Sequence, residues 1–518
     1  MALFRSIATV GGWTMVSRVL GFARDMLIAN VIGAGLIADA FFVAFKFPNF
    51  FRRLFAEGAF NAAFVPLFAG RLTTDGKEAA VKFAAEVASV LGTVLLVFTL
   101  AAMLTMPWLM LGIAPGFTDQ PDKFALTVDL TRLTFPYLTF MALVALMGGM
   151  LNSLQRFAAT AAAPIVLNVV LIAVLLGVRH GVLPDPGHAL AWGVAAAGLA
   201  QFVWIALACK RAGIGFVPPR PRLTPGVKRL LVLMAPALLG AGVVQVNVVI
   251  DVILASTLSE GSVSFLYYAD RVNQLPLGVV GVAVGITLLP LLTRQLRSGD
   301  AAAALGSQNR AIEFALTLTL PAAAALIAIP GPIVTVLFQR GAFDTASAEA
   351  TAGALAAFAV GLPAYVLIKA LTPGFFARED TKTPVKVAVV AMIANVVLAV
   401  ALMQVLAHVG IALATALSAW FNATALAVLL VRRGHLAFDA RLRRCVPRLI
   451  LASALMGVAV WWGADWLAGP LGSGEAQRIV ALASLVVAGG GLFALAALGT
   501  GAVRMTDLRA AVSRRASP

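Results

Sequence analysis

Charge is what this sequence has least of. Asp, Glu, Lys and Arg make up 12% of its 518 residues, about half the ~25% of an ordinary soluble domain. So few charges cannot cover the surface of a soluble protein of this length, which excludes a cytoplasmic enzyme of conventional domains and a disordered chain. Cysteine is reduced to Cys209 and Cys445, and histidine to His180, His188, His408 and His435. None of them stands at a CxxC or Cys/His metal spacing, so neither a disulfide scaffold nor a zinc site is expected. There is no GxxxxGK[ST] loop, no HExxH and no GxSxG, hence no internal ATP motor and no familiar hydrolase centre. No cleavable signal peptide is expected either, because the first apolar stretch runs on into the body of the chain.

What is present is apolar. Hydrophobic residues make up 61% of the chain, and the mean hydropathy is +0.95. A membrane-spanning helix needs about 20 predominantly apolar residues. About fourteen such runs can be read: roughly 5–32, 36–70, 83–111, 126–154, 160–178, 189–209, 230–256, 262–293, 311–338, 350–377, 385–406, 409–431, 447–468 and 478–500. The second and eighth contain Pro48 and Pro276, where kinks are expected. The expected fold class is an all-α integral membrane protein with about 14 transmembrane helices.

The basic residues orient it. With a cytoplasmic N-terminus, the great majority of Lys and Arg fall in inner loops, and only Lys123, Arg179, Arg340 and Arg478 in outer ones. That asymmetry places both termini in the cytoplasm. The net charge of +16 is then a matter of topology, and nucleic-acid binding has no support.

The chain also repeats. Shifting the second run onto the eighth superposes Phe41 on Phe265, Asn49 on Asn273, Pro66 on Pro290, Leu67 on Leu291 and Leu72 on Leu296. An offset of six spans implies two six-helix lobes in a parallel pseudo-twofold repeat. The expected organisation is an N-terminal lobe at 1–209, a basic, Pro-rich cytoplasmic linker at 210–229 and a C-terminal lobe at 230–433. An extra helix pair at 445–500 and a basic tail at 501–518 follow.

Several charges lie inside the spans. SRVLGFARD carries Arg18, Arg24 and Asp25, and ADAFFVAFKFPNFFRRLFAEGAF carries Asp39, Lys46, Arg52, Arg53 and Glu57. A mid-bilayer arginine facing lipid costs about 2.5–3.5 kcal/mol on insertion scales. Two pairings would reduce that cost, Arg53 with Glu57 at i,i+4 and Arg24 with Asp39. The basic residues of these two spans still outnumber the acids, so the surplus must meet water and an anion. Guanidinium groups suit a phosphate, which they hold by paired hydrogen bonds. The eighth run adds Asp270 and Arg271. In the seventh, Gln245, Asn247 and Asp251 form a polar stripe, either an interhelical hydrogen-bond cluster or a cation site.

These segments, with YYADR and FQRGAFD, resemble the MurJ (MviN) family of bacterial lipid II flippases over essentially the whole chain. That family belongs to the multidrug/oligosaccharidyl-lipid/polysaccharide exporter superfamily. The resemblance implies alternating access of two lobes around a central cavity in the plasma (inner) membrane. It assigns Arg18, Arg24, Arg52 and Arg271 to the substrate diphosphate, and Asp25, Asp39, Arg53 and Glu57 to gating or to orienting those arginines. The last two spans would form a groove for the polyprenyl tail. The implied partner is lipid II, an undecaprenyl-diphosphate-linked disaccharide-pentapeptide, held among membrane lipids. No cofactor is implied beyond coupling to Na+ or protons, with Asp251 and Asn395 as candidate Na+ ligands. An O-antigen-type flippase, a drug exporter of the same superfamily and a membrane-embedded polyprenyl-phosphate enzyme are the alternatives.

If the four arginines act through charge and fork geometry, alanine at Arg18, Arg24, Arg52 or Arg271 abolishes transport. Lysine restores it only in part, because a point charge cannot make the bidentate contact. Growth of cells depending on each variant is the measurement, and growth supported by all four alanine variants contradicts the assignment.

Overall fold

The computed structural model describes residues 2–53, 60–215 and 217–503. All regular structure among them is helical, and the expected runs fall largely on helix, several of them divided by a short turn into two helices. The chain is a multi-pass membrane protein. It divides into two compact units, residues 1–264 with 340–344, and residues 265–339 with 345–518.

The first unit holds α1 (Ala2–Ile32), α2 (Leu36–Phe51), α3 (Phe60–Thr74), α4 (Gly76–Leu104), α5 (Met106–Ile113), α6 (Pro121–Thr134), α7 (Tyr137–Ser153), α8 (Phe157–Arg179), α9 (Pro186–Arg211) and α10 (Pro225–Ser256). α1 packs on α8 and α8 on α9, while α2 is gripped by α6 and α9. The phenylalanines of α2 explain that grip. Phe41, Phe42, Phe45 and Phe47 are buried, and Phe47 and Phe51 meet Phe135 with ring centroids 5.5 and 6.0 Å apart. Such pairs add about 0.5–1.5 kcal/mol beyond their buried area. A second aromatic column, Phe60, Phe64 and Phe68 with Phe83, seats α3 against α4.

The second unit holds most of α11 (Ser262–Arg297), then α12 (Ala301–Ala328), α13 (Pro330–Phe338), α14 (Thr345–Val360), α15 (Leu362–Phe376), α16 (Lys382–Arg432), α17 (Ala440–Trp466), α18 (Ala468–Gly472) and α19 (Glu475–Gly499). α12 is its centre, packed on α14, α15 and α17, with α19 against α17. α16 is two helices in one. Ala407 has φ 48° and ψ −130°, and a Cβ on Gly410 would lie 2.5 Å from the Leu402 backbone. Residues eight apart in a continuous helix stand about 12 Å apart along its axis, so the chain reverses there, between the runs expected at 385–406 and 409–431.

Among the described residues, nine helical segments are long and apolar enough to cross a membrane. The nine count the reversed α16 once. They do not include α1–α3, α10 and α11, although α1, α2, α10 and α11 carry most of the polar and charged positions singled out above.

Polar ties hold the loop ends of the second unit. Glu313 accepts from Arg441 at 2.8 Å and also pairs with Arg310, which reaches Asp439. Asp380 accepts from the Thr383 amide at 3.0 Å, the Thr383 hydroxyl at 2.6 Å and Arg433 at 2.6 Å. These bonds, those from Thr383 above all, hold the Asp380 carboxyl well below the usual carboxylate range. A depressed pKa stabilises the fold above the unfolded-state value, and the contribution is lost as pH falls through the folded one. Asp380 therefore supports α16 throughout the neutral range. Asp380→Ala is expected to lower stability by about 1 kcal/mol, the size of a lost helix cap, as read by thermal unfolding at pH 7. An unchanged melting temperature contradicts it.

Candidate functional site

Asp39 is a buried carboxylate that accepts four hydrogen bonds. Gly33, at φ 64°, turns the chain from α1 into α2, and Asp39 follows in the first turn of α2. Its carboxylate is 1% exposed. Oδ2 accepts from Lys123 Nζ at 2.7 Å and from the Gly261 amide at 2.8 Å. Oδ1 accepts from the Ser264 amide at 2.9 Å and the Ser264 hydroxyl at 2.6 Å. The Lys123 ammonium also lies 4.2 Å from the centroid of Phe117. Beside this centre the Leu36 amide donates to the Glu260 carboxylate at 2.8 Å, and the Ala342 amide to the Asn30 carbonyl at 2.9 Å. A Cβ on Gly33 would lie 2.4 Å from Ala342 O, and one on Gly341 2.3 Å from Asn30 O. Only glycines let these two turns touch, and both have positive φ.

Four donors on one buried carboxylate, one of them cationic, satisfy its charge in a dry setting. The arrangement ties the α1–α2 turn to α6, to the turn before α11 and to residues 340–344, all within the first unit. Chemically it is a latch that can release only by surrendering several hydrogen bonds together.

Arg24 forms a second centre. It is 5% exposed, grips Asp25 Oδ1 through Nε at 3.0 Å and Nη2 at 2.6 Å, and donates Nη1 to Asn168 Oδ1 at 2.9 Å. Asn168 returns its amide to the Ser17 carbonyl at 2.9 Å. The expected pairing of Arg24 with Asp39 does not form. Arg24 faces α8 and the Phe45 ring, while Asp39 faces α6 and the start of α11.

The other candidates are spread along the helices. Arg18 is exposed on α1 and Arg53 exposed at the end of α2. Half-buried Arg52 donates Nε to Asn49 Oδ1 at 2.9 Å. Arg271, in the second unit, donates to the Tyr267 hydroxyl at 2.9 Å and lies 4.9 Å from its ring centroid. Asp251 is on α10 in the first unit and buried Asn395 on α16 in the second. Glu57 and the expected Arg53–Glu57 pair lie outside the described residues, as does the tail from 504. Among the described residues no group of three or more His, Cys, Asp or Glu gathers as for a metal ion. Both cysteines are buried and free.

Sequence reasoning misses Lys123 by treating it as an outer-loop charge. The signal is Pro121. Proline favours the first turn of a helix, and α6 begins there, so Lys123 is helical and faces inward. Asn168, Glu260 and Ser264 carry no comparable signal.

Residues 28–481 match the family described as lipid II flippase MurJ. A probable lipid II flippase MurJ of Rhizobium meliloti is 48% identical over 100% of this chain and 97% of its own length. One from Rhizobium tropici is 50% identical over 90% and 88%, and the lipid II flippase MurJ of Burkholderia cenocepacia 36% over 90% and 92%. Among solved structures, a lipid II flippase MurJ in an inward closed conformation aligns with TM-score 0.78 at 23% identity, covering 94% of this chain and 97% of that one. An inward-facing multidrug resistance MATE family transporter of the MOP superfamily aligns with TM-score 0.64 at 14% identity, covering 83% and 98%. At these identities the two structural likenesses are of fold.

Lys123→Met strands a buried carboxylate, and breaking a buried pair from one side costs about 3–5 kcal/mol. Its expected outcome is a marked fall in thermal stability or folded yield, while exposed Arg179 tolerates the same change. Equal behaviour of the two variants contradicts the latch. Arg24→Ala should also lose stability, because it removes the bonds from Arg24 to Asp25 and Asn168, a penalty exposed Arg18→Ala does not incur.

Proposed function

The chain belongs to the lipid II flippase MurJ family, and we propose that it moves lipid II from the cytoplasmic to the outer leaflet of the bacterial inner membrane for peptidoglycan synthesis. It is a transporter, not an enzyme. The observation that carries the substrate assignment is family membership across nearly the full length, with relatives 48% and 50% identical over 100% and 90% of this chain. The intramembrane arginines supply the chemistry such a cargo needs.

In this mechanism residues 1–209 and 230–433 act as two six-helix lobes joined by the linker at 210–229. Both termini are cytoplasmic. The headgroup enters from the cytoplasmic side, and Arg18, Arg24, Arg52 and Arg271 replace water around its diphosphate. Asp25 orients Arg24. The Asp39–Lys123 latch holds the outer end shut until the lobes rock, and Arg53 and Glu57 act with it in gating. The helix pair at 445–500 guides the polyprenyl tail, which stays in lipid. No covalent bond changes. Arginine suits this role because it binds anions and does not deprotonate.

Headgroup translocation in cells depleted of their own flippase and complemented with this chain tests the assignment; no restored translocation overturns it. The driving force follows from the cargo's charge. One elementary charge crossing 100 mV is worth about 2.3 kcal/mol, so two negative charges leaving a negative interior gain roughly 4–5 kcal/mol. Collapsing the membrane potential while sodium and proton gradients are held is expected to slow export strongly. Unchanged export points instead to ion coupling through Asp251 and Asn395.

A further inference from the structure

Away from the arginines and the latch, the first unit contains a cavity of about 1000 Å3 between the start of α4 and the strap of residues 212–215 and 217–224. Its walls are tied in place. Ser89 Oγ on α4 donates to the Pro219 carbonyl, Thr224 Oγ1 donates to Glu86 at 2.8 Å, and Lys77 Nζ donates to the Ala212 carbonyl at 3.3 Å. The Pro-rich sequence VPPRPRL stiffens the strap between these ties. Lys77, Lys82, Arg220 and Arg222 line the cavity against two acids, Glu78 and Glu86, and Glu86 already accepts from Thr224. Among the described residues, Lys82, Arg220 and Arg222 make no side-chain hydrogen bond or ion pair. A preformed hollow with surplus unpaired cations is built for an anion, and the guanidinium forks suit phosphate.

The strap says which phosphate. Val217 is 88% exposed and Leu223 58% exposed, on either side of Arg220 and Arg222. A soluble phosphate ester leaves those two apolar side chains in water, whereas a bilayer surface covers them. We propose that this cavity binds the phosphodiester headgroup of an anionic phospholipid of the cytoplasmic leaflet, with Val217 and Leu223 seated at its acyl boundary. The proposal rests on the orientation given above, which puts the ends of α9 and α10 flanking the strap on the cytoplasmic side. Anionic lipid is concentrated there for polybasic segments to find. Occupancy fixes the strap that leads into α10.

The test is lipid retention by the full-length chain, delipidated in neutral detergent and titrated with phosphatidylglycerol or phosphatidylcholine under native mass spectrometry. Inorganic phosphate and glycerol 3-phosphate serve as the free ligands. A preference for phosphatidylglycerol is expected. The exposed double variant Arg220→Gln/Arg222→Gln should weaken it by roughly thirtyfold, the scale of two basic residues at an anionic surface. Val217→Ser/Leu223→Ser should weaken it too, and Arg432→Gln/Arg444→Gln, which removes as much charge elsewhere, should not. The proposal is overturned if Arg220→Gln/Arg222→Gln retains the lipid, or if both charge-removing variants lose it equally. It also fails if free phosphate competes as strongly as the lipid, which marks a site for a soluble ester. Binding is read without transport, so failure of lipid II translocation leaves this result standing, and the reverse.

Discussion

A charge inside an apolar bundle must find a partner, and the described structure of the first unit is arranged around that constraint. Asp39 meets it with four donors and Arg24 with a carboxylate and an amide. Each solution draws together segments far apart in sequence. Asp39 reaches α6 and the turn before α11, and Arg24 reaches α8. Burial supplies the energetic pressure, and polar pairing decides which helices become neighbours.

The two centres divide the work. Arg24 is clamped to Asp25 and Asn168, which fixes its guanidinium. The Asp39 knot includes two glycine turns, at Gly33 and Gly341, that approach so closely that no side chain fits. Tight backbone contact and one buried ion pair thus meet in a single junction. The ion pairs at the loop ends of the second unit are more exposed and serve anchorage: Glu313 binds α12 to the start of α17, and Asp380 caps α16.

The sequence reads well where its signals are local. Helical runs follow from apolar length, and even the reversal within α16 falls between residues 406 and 409, where one apolar run gives way to the next. Signals that depend on partners read less well. Arg24 and Asp39 stand out as intramembrane charges, but chain proximity pairs them with each other, and the fold does not. Lys123 looks in the sequence like one more loop cation.

What the sequence determined by itself was the class of protein, the run of helices and the presence of charges inside the spans. These rest on composition, on periodicity and on motifs a few residues long. Only the tertiary structure decided that Asp39 closes on Lys123, Gly261 and Ser264, that Arg24 closes on Asp25 and Asn168, and that a basic strap roofs a cavity beside α4. The physical reason is range. Hydropathy is a property of each segment alone, whereas a buried charge is satisfied by whichever donor the packing brings within about 3 Å, and no local pattern records which one that is.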